Sequence, residues 1–176
     1  MNKFFTMSSR QAICIVTLTM AVLSVTIATI MMNSVYAQDQ KFTASLSGDQ
    51  EVPPNTSTAK GWAWFKPTGD SVGYQVNATG LDKVSMAHIH GGKTGENGDP
   101  IAMLQIMQSS GPINGTLAQG NITSSDLMGS LAGKSVSDLV SKMQSGEAYV
   151  NVHTEANPNG EIRGQISLAN TTTPAK

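Results

Sequence analysis

Cysteine is nearly missing from this chain. The single Cys14 lies in an apolar N-terminal run, so residues 38–176 carry none, and disulfides, thiolate metal sites and cysteine nucleophiles are excluded there. A basic excess is missing too. Lys and Arg number 11 against 12 acids, and setting aside Lys3 and Arg10 leaves nine against twelve, net −3 with His neutral. No basic stripe is available to draw nucleic acid or an anionic membrane. Serines are plentiful, but none sits in a nucleophile elbow, so a hydrolase is not indicated. Gly92, Gly95 and Gly98 precede no helix start and so make turns rather than a phosphate cradle. The Gly91–Asp99 loop has oxygen donors without calcium-loop spacing. Histidines number only three, and any histidine chemistry must come from them.

The N-terminus reads as a targeting segment. Lys3 and Arg10 precede an uncharged run from Ala12 to Met32, and Val35-Tyr36-Ala37 places small residues at −3 and −1 of a cleavage site. Residues 1–37 are expected to be a signal peptide cleaved before Gln38. The run is also long enough to remain as an uncleaved membrane anchor, which would be the chain's one link to a membrane. Either way the remainder is delivered outside the cytoplasm, secreted or at the cell surface. Five Asn-x-Ser/Thr sequons, at Asn55, Asn77, Asn114, Asn121 and Asn170, suit an exported glycoprotein and also arise by chance in a Ser/Thr/Asn-rich chain.

Residues 38–169 read as one mainly β domain, and residues 170–176, without apolar periodicity, as a disordered tail. Apolar alternation marks about eight short strands: Lys41–Leu46, Gly61–Lys66, Ser71–Ala78, Val84–His90, Pro100–Ile106, Thr116–Ile122, Ala148–His153 and Ile162–Leu168. Regular short strands separated by turn residues predict a Greek-key β-sandwich. Thr123-Ser-Ser-Asp126 and Ser135-Val-Ser-Asp138 resemble capping boxes, each followed by apolar residues at helical spacing, which predicts one or two short helices in the connection before Ala148.

All three histidines fall in two of these strands. His88 and His90 lie in Met86-Ala-His-Ile-His-Gly-Gly92, and His153 in Tyr149-Val-Asn-Val-His-Thr154. Side chains at i and i+2 share a face, and a rise of about 3.3 Å per residue sets His88 and His90 roughly 6.6 Å apart at the backbone. Both rings can lean onto one ion at roughly 2.0–2.1 Å. His153 lies opposite Val150 and Val152, so it points outward if those valines enter the core. Two readings are open: a copper or zinc site on three neutral imidazoles, or a polar network fastening two strands. Met86, on the same face, is either a soft ligand for Cu(I) or packing. Glu51 and Glu161 are candidates to orient an imidazole, or are solvated charges. Arg163 either steers an anion to the site or makes a strand-edge ion pair. Trp62 and Trp64, opposite in phase to Ala63 and Phe65, form a candidate interaction surface.

Phe42-Thr-Ala-Ser-Leu-Ser-Gly48 leading to Glu51-Val-Pro-Pro54, then Ala87-His-Ile-His-Gly-Gly92, Gly95-Glu-Asn-Gly98, Tyr149-Val-Asn-Val-His-Thr154 and Asn157-Pro-Asn-Gly-Glu-Ile-Arg-Gly-Gln-Ile166 resemble a CHRD domain, the module named after chordin. These motifs span roughly residues 41–168. The resemblance implies a secreted module without an agreed reaction. Chordin's cysteine-rich repeats have no counterpart here, so its growth-factor role does not transfer. A more distant resemblance is to the copper/zinc superoxide dismutases, Greek-key sandwiches that hold copper with a His-x-His pair and a later histidine and keep an arginine before the final strand. His88, His90, His153 and Arg163 fall in that order. The bridging fourth histidine, the zinc ligands and the disulfide of those enzymes have no counterpart. The expectation is an exported non-enzymatic module with an extracellular protein or surface partner and a three-histidine copper or zinc site; the alternative is a mononuclear copper protein with dismutase-like redox activity.

Overall fold

The computed structural model describes residues 40–107 and 110–169. The expected signal segment, the C-terminal tail and the sequon at Asn170 lie outside the described residues. Among the described residues no helix is long and apolar enough to cross a membrane. Nine strands are present among them: β1 (Phe42–Ser47), β2 (Lys60–Thr68), β3 (Ser71–Asp82), β4 (Val84–Gly91), β5 (Pro100–Met103), β6 (Pro112–Ile122), β7 (Ala148–Thr154), β8 (Ile162–Gln165) and β9 (Ser167–Leu168), with one α-helix, α1 (Val136–Gln144). The mainly β expectation holds. The ninth strand arises because the last predicted strand divides at Ile166, whose side chain is buried and whose N–H bonds to Ala148 O.

All nine strands belong to one antiparallel sheet in the order β5-β4-β7-β8-β1-β2-β3-β6, with β9 beside β1. A bridge between Ile106 and Ala118, and a bond from the Met107 N–H to Leu117 O, tie the segment after β5 to β6, so the two ends of the order meet. Strand β3 lies beside β6 rather than beside its sequence neighbour β4, which is the Greek-key arrangement. Only Lys83, at φ 50°, separates β3 from β4, and the chain changes its place in the sheet there.

Period-two alternation decides which side chains meet inside. Ala63 and Phe65 of β2, Tyr74 and Val76 of β3, Ala87 and Ile89 of β4, and Val150 and Val152 of β7 all enter one core. Each fully buried aliphatic or phenyl side chain contributes about 1.5–3 kcal/mol relative to exposure. Strand β7 departs from alternation, because all seven of its residues are buried. Its outward-facing positions must therefore be covered, and the candidate site lies beneath that cover.

Of the two candidate helices in the late connection, the second forms an α-helix and the first does not. Both capping boxes close, Thr123 with Asp126 and Ser135 with Asp138. The second starts α1, which buries Val136, Leu139 and Met143. The first starts only a 3-10 turn, Ser124–Asp126, followed by another at Gly129–Leu131. Leu127 bridges Ala102, and the Met128 N–H bonds to Ile101 O, so the chain is drawn out along β5 between the turns. Gly129 then takes φ 54°, where an added Cβ would lie 2.4 Å from Pro100 O. Pairing with β5 overrides the local helical spacing.

Candidate metal centre

Strand register assembles the site on the outer face of the sheet. Across β4 and β7, Met86 lies opposite His153, His88 opposite Asn151, and His90 opposite Tyr149. Asn151 in turn lies opposite Arg163 of β8, which lies opposite Ser47 of β1. Residues on this face would ordinarily be wet, yet His88, His90, His153, Asn151 and Arg163 are buried. The segments after β1, after β4 and after β7 fold over them and are tied together. Asn55 Nδ2 donates to Gly160 O and Glu161 O, and Asn97 Nδ2 donates to Val52 O. Arg163 reaches from β8 to the cover, donating to Asn97 Oδ1, Lys93 O and Glu96 O at 2.8–3.2 Å.

The three imidazoles converge. Their ring centroids are 5.5–5.7 Å apart, and each offers a ligand atom within 4.8 Å of the other two. Nitrogens bound tetrahedrally at 2.0–2.1 Å sit roughly 3.4 Å apart, a spacing of the same order as the one these rings already hold. His90 Nδ1 lies 2.8 Å from Gly98 O, and His153 Nδ1 lies 3.1 Å from Pro158 O. A carbonyl accepts only, so each Nδ1 carries the proton and donates, leaving each Nε2 a bare lone pair. His90 Nε2, His153 Nε2 and His88 Nδ1 are buried without a hydrogen-bond partner. Unsatisfied buried polar atoms cost about 1–3 kcal/mol each. Three in one cluster are compatible with a shared cation between them; Glu51 Oε1, Asn151 Oδ1 and Gln165 Oε1 are buried without a partner as well.

Protonation is opposed throughout. Burial, then the charges of His153 and His90, lowers the His88 pKa to about 4. Burial lowers His90 against the Gly98 bond, and lowers His153 against the Pro158 bond. Neutral imidazole, the ligating form, is therefore the resting state at pH 7. Beside the trio, Tyr149 stacks on His90 with centroids 5.1 Å apart, while the Arg163 guanidinium lies 3.5 Å from the Tyr149 ring centre. Glu51 is buried over Asn151, and burial raises its pKa to about 7 despite the lowering pull of Arg163. Gly160, at φ 133°, closes the cover above them; an added Cβ would lie 2.7 Å from Asn151 and Glu51 side-chain atoms.

The sequence profile of the CHRD domain matches residues 42–166, which contain every residue of this centre. The chain belongs to the CHRD-domain family. Chordin of Xenopus laevis is 29% identical over 150 residues, an alignment covering 82% of this chain and 15% of chordin. The likeness is therefore between one module and a small part of a much longer protein.

Within this CHRD domain the anticipated residues are placed unevenly. His88, His90 and His153 come together. Arg163 lies near them, but its guanidinium is committed to the cover and to Tyr149 and does not stand free. Glu51 contacts Asn151 Nδ2 at 3.5 Å and not an imidazole. Glu161 accepts from Ser57 and Thr154, bracing the loop that carries Pro158. The atoms that orient the rings are instead the backbone carbonyls of Gly98 and Pro158, which no residue type announces. Tyr149 and Asn151 were also missed, although their alternation with Val150 and Val152 marked the face. Trp62 is exposed, and Trp64 donates to Gln75 Oε1, both on the outer face of β2, away from the trio in strand order. Among the sequons, Asn114 and Asn121 are exposed, while Asn55 uses its amide nitrogen to hold the cover.

Proposed function

We propose that this CHRD domain is an exported binding module that holds one copper or zinc ion on His88, His90 and His153. The observation that carries the reading is the convergence of three buried, unpartnered ring nitrogens from two neighbouring strands. The donor set is borderline-soft nitrogen, which suits copper and zinc and disfavours calcium and magnesium. Gly98 O and Pro158 O hold the tautomers, and the cover keeps water from the rings. A bound ion supplies positive charge where the apo domain buries three lone pairs, so loading stabilises the cover as well as filling the site. Export is inferred from the N-terminal segment, and an extracellular protein or surface partner, met by the loops or the Trp62/Trp64 face, from the likeness to part of chordin.

Redox turnover of superoxide is the second reading, resting on the more distant likeness of the histidine order. Arg163 weighs against it. A guanidinium 2% exposed and bonded to three acceptors is not free to draw an anion inward. The test is titration of tag-free protein with Cu(II) and Zn(II), comparing wild type with His88→Ala, His90→Ala and His153→Ala, and a superoxide-consumption assay alongside. Binding lost in each variant without superoxide turnover is expected. Equal affinity in all four proteins would reject the site, and rapid superoxide consumption by copper-loaded wild type would favour the redox reading.

A further inference from the structure

We propose that Met86 and Met103 form a thioether site for Cu(I) on the outer face of the sheet, beside the three histidines. Met86 and Met103 are 45% and 42% exposed, in a domain that otherwise buries its large apolar side chains with few exceptions. An isolated exposed methionine needs no explanation. These two are not isolated. Met86 is the register partner of His153 on β7, and Met103 is the register partner of His88 on β4. Paired residues of antiparallel strands share a face with Cβ atoms about 4.5–5.5 Å apart. Both thioethers therefore flank the trio on its own side of the sheet.

Met86 precedes His88 by two residues, so Met86 and Met103 are diagonal neighbours with His88 between them. Diagonal positions are roughly 7–8 Å apart, within reach of two long flexible side chains closing on one ion. Thioether sulfur is a soft donor that favours Cu(I) over Zn(II) and Cu(II), whereas neutral imidazole serves all three. Two donor sets of different softness thus adjoin. The exposed pair selects and captures cuprous ion, and the buried trio retains it. Retention rests on the three-histidine reading; capture by the methionines does not.

The test uses the full-length, tag-free protein with Cys14→Ser in every variant, so that no thiol competes for the ion, under anaerobic reducing conditions, with Cu(I) partitioned between protein and bicinchoninate and Zn(II) affinity measured in parallel. Leucine conserves methionine's volume at exposed positions, so Met86→Leu, Met103→Leu and the double variant keep the fold. The double variant is expected to lose Cu(I) affinity by about tenfold or more while Zn(II) affinity stays within about twofold. Copper-edge X-ray absorption of the Cu(I)-loaded wild type should show sulfur neighbours that the double variant lacks. Unchanged Cu(I) affinity in the double variant, or no sulfur neighbour in wild type, overturns the proposal even if histidine variants abolish Zn(II) binding. Conversely, a wild type that binds no Zn(II) or Cu(II) but loses Cu(I) on Met→Leu substitution leaves the thioether site standing and rejects the trio.

Discussion

Arg163→Met should be the most informative single substitution for stability. The guanidinium makes three hydrogen bonds to the segment after β4 and lies 3.5 Å from the Tyr149 ring centre. Each such bond contributes about 1 kcal/mol net, and a desolvated cation–π contact about 1–2 kcal/mol. Methionine keeps most of the apolar stem, and the released acceptors belong to Lys93, Glu96 and Asn97 at the surface, where water can partly replace the guanidinium. The expected loss is therefore about 2–4 kcal/mol, read as a shift in urea midpoint followed by tryptophan fluorescence and near-ultraviolet circular dichroism. Arg163→Lys keeps the charge without the fork and should fall between the two. Removing the cation also removes the pull that lowers Glu51, so its pKa should rise further above 7. A loss below about 0.5 kcal/mol, within the range of ordinary surface substitutions, would refute the claim that Arg163 holds the cover.

The metal-free domain should lose stability as pH falls from 6.5 toward 4. The histidines are held below their unfolded pKa, so stability present above pH 6.5 is lost as they protonate; His88 alone accounts for at most about 3 kcal/mol. A flat urea midpoint between pH 7 and pH 4 in chelator would contradict this. Glu51 acts with the opposite sign: its folded pKa of about 7 exceeds its value of 4.5 when free, so its contribution is present below pH 4.5 and lost as pH rises through 7. Glu51→Gln should thus raise stability at pH 8, by about 1–3 kcal/mol, measured by chemical denaturation. Gly160→Ala should cost about 2–3 kcal/mol, seen as a lower melting temperature, because it combines a positive φ with a Cβ pressed on Asn151 and Glu51.

Strand placement was legible because its signal is local. Alternation within six to eight residues is enough to assign β2, β3, β4 and β7 and to separate Ala63 and Phe65 from Trp62 and Trp64. The pairing of His88 with His90 was legible for the same reason, since i and i+2 share a face whatever the strand packs against. The capping boxes of Thr123 and Ser135 were readable too, being closed within four residues. The extended path of the chain after Asp126 was not readable, because the long-range contact of Leu127 and Met128 with β5 outweighs helical spacing.

The meeting of His153 with His88 and His90 is a matter of register between β7 and β4, strands separated by more than fifty residues of chain, and no local pattern contains it. The same holds for the cover. A period-two reading leaves outward residues in water, and only the folded segments around Glu51, Asn97 and Pro158 make the part of that face around the three histidines a dry one. Burial then holds three imidazoles neutral and Glu51 near pH 7, and two backbone carbonyls set the tautomers of His90 and His153. Which residues face outward together is written in the chain itself. That its histidine-bearing part is enclosed is a property of the fold, because desolvation depends on what lies above a residue and not on which residues flank it in the chain.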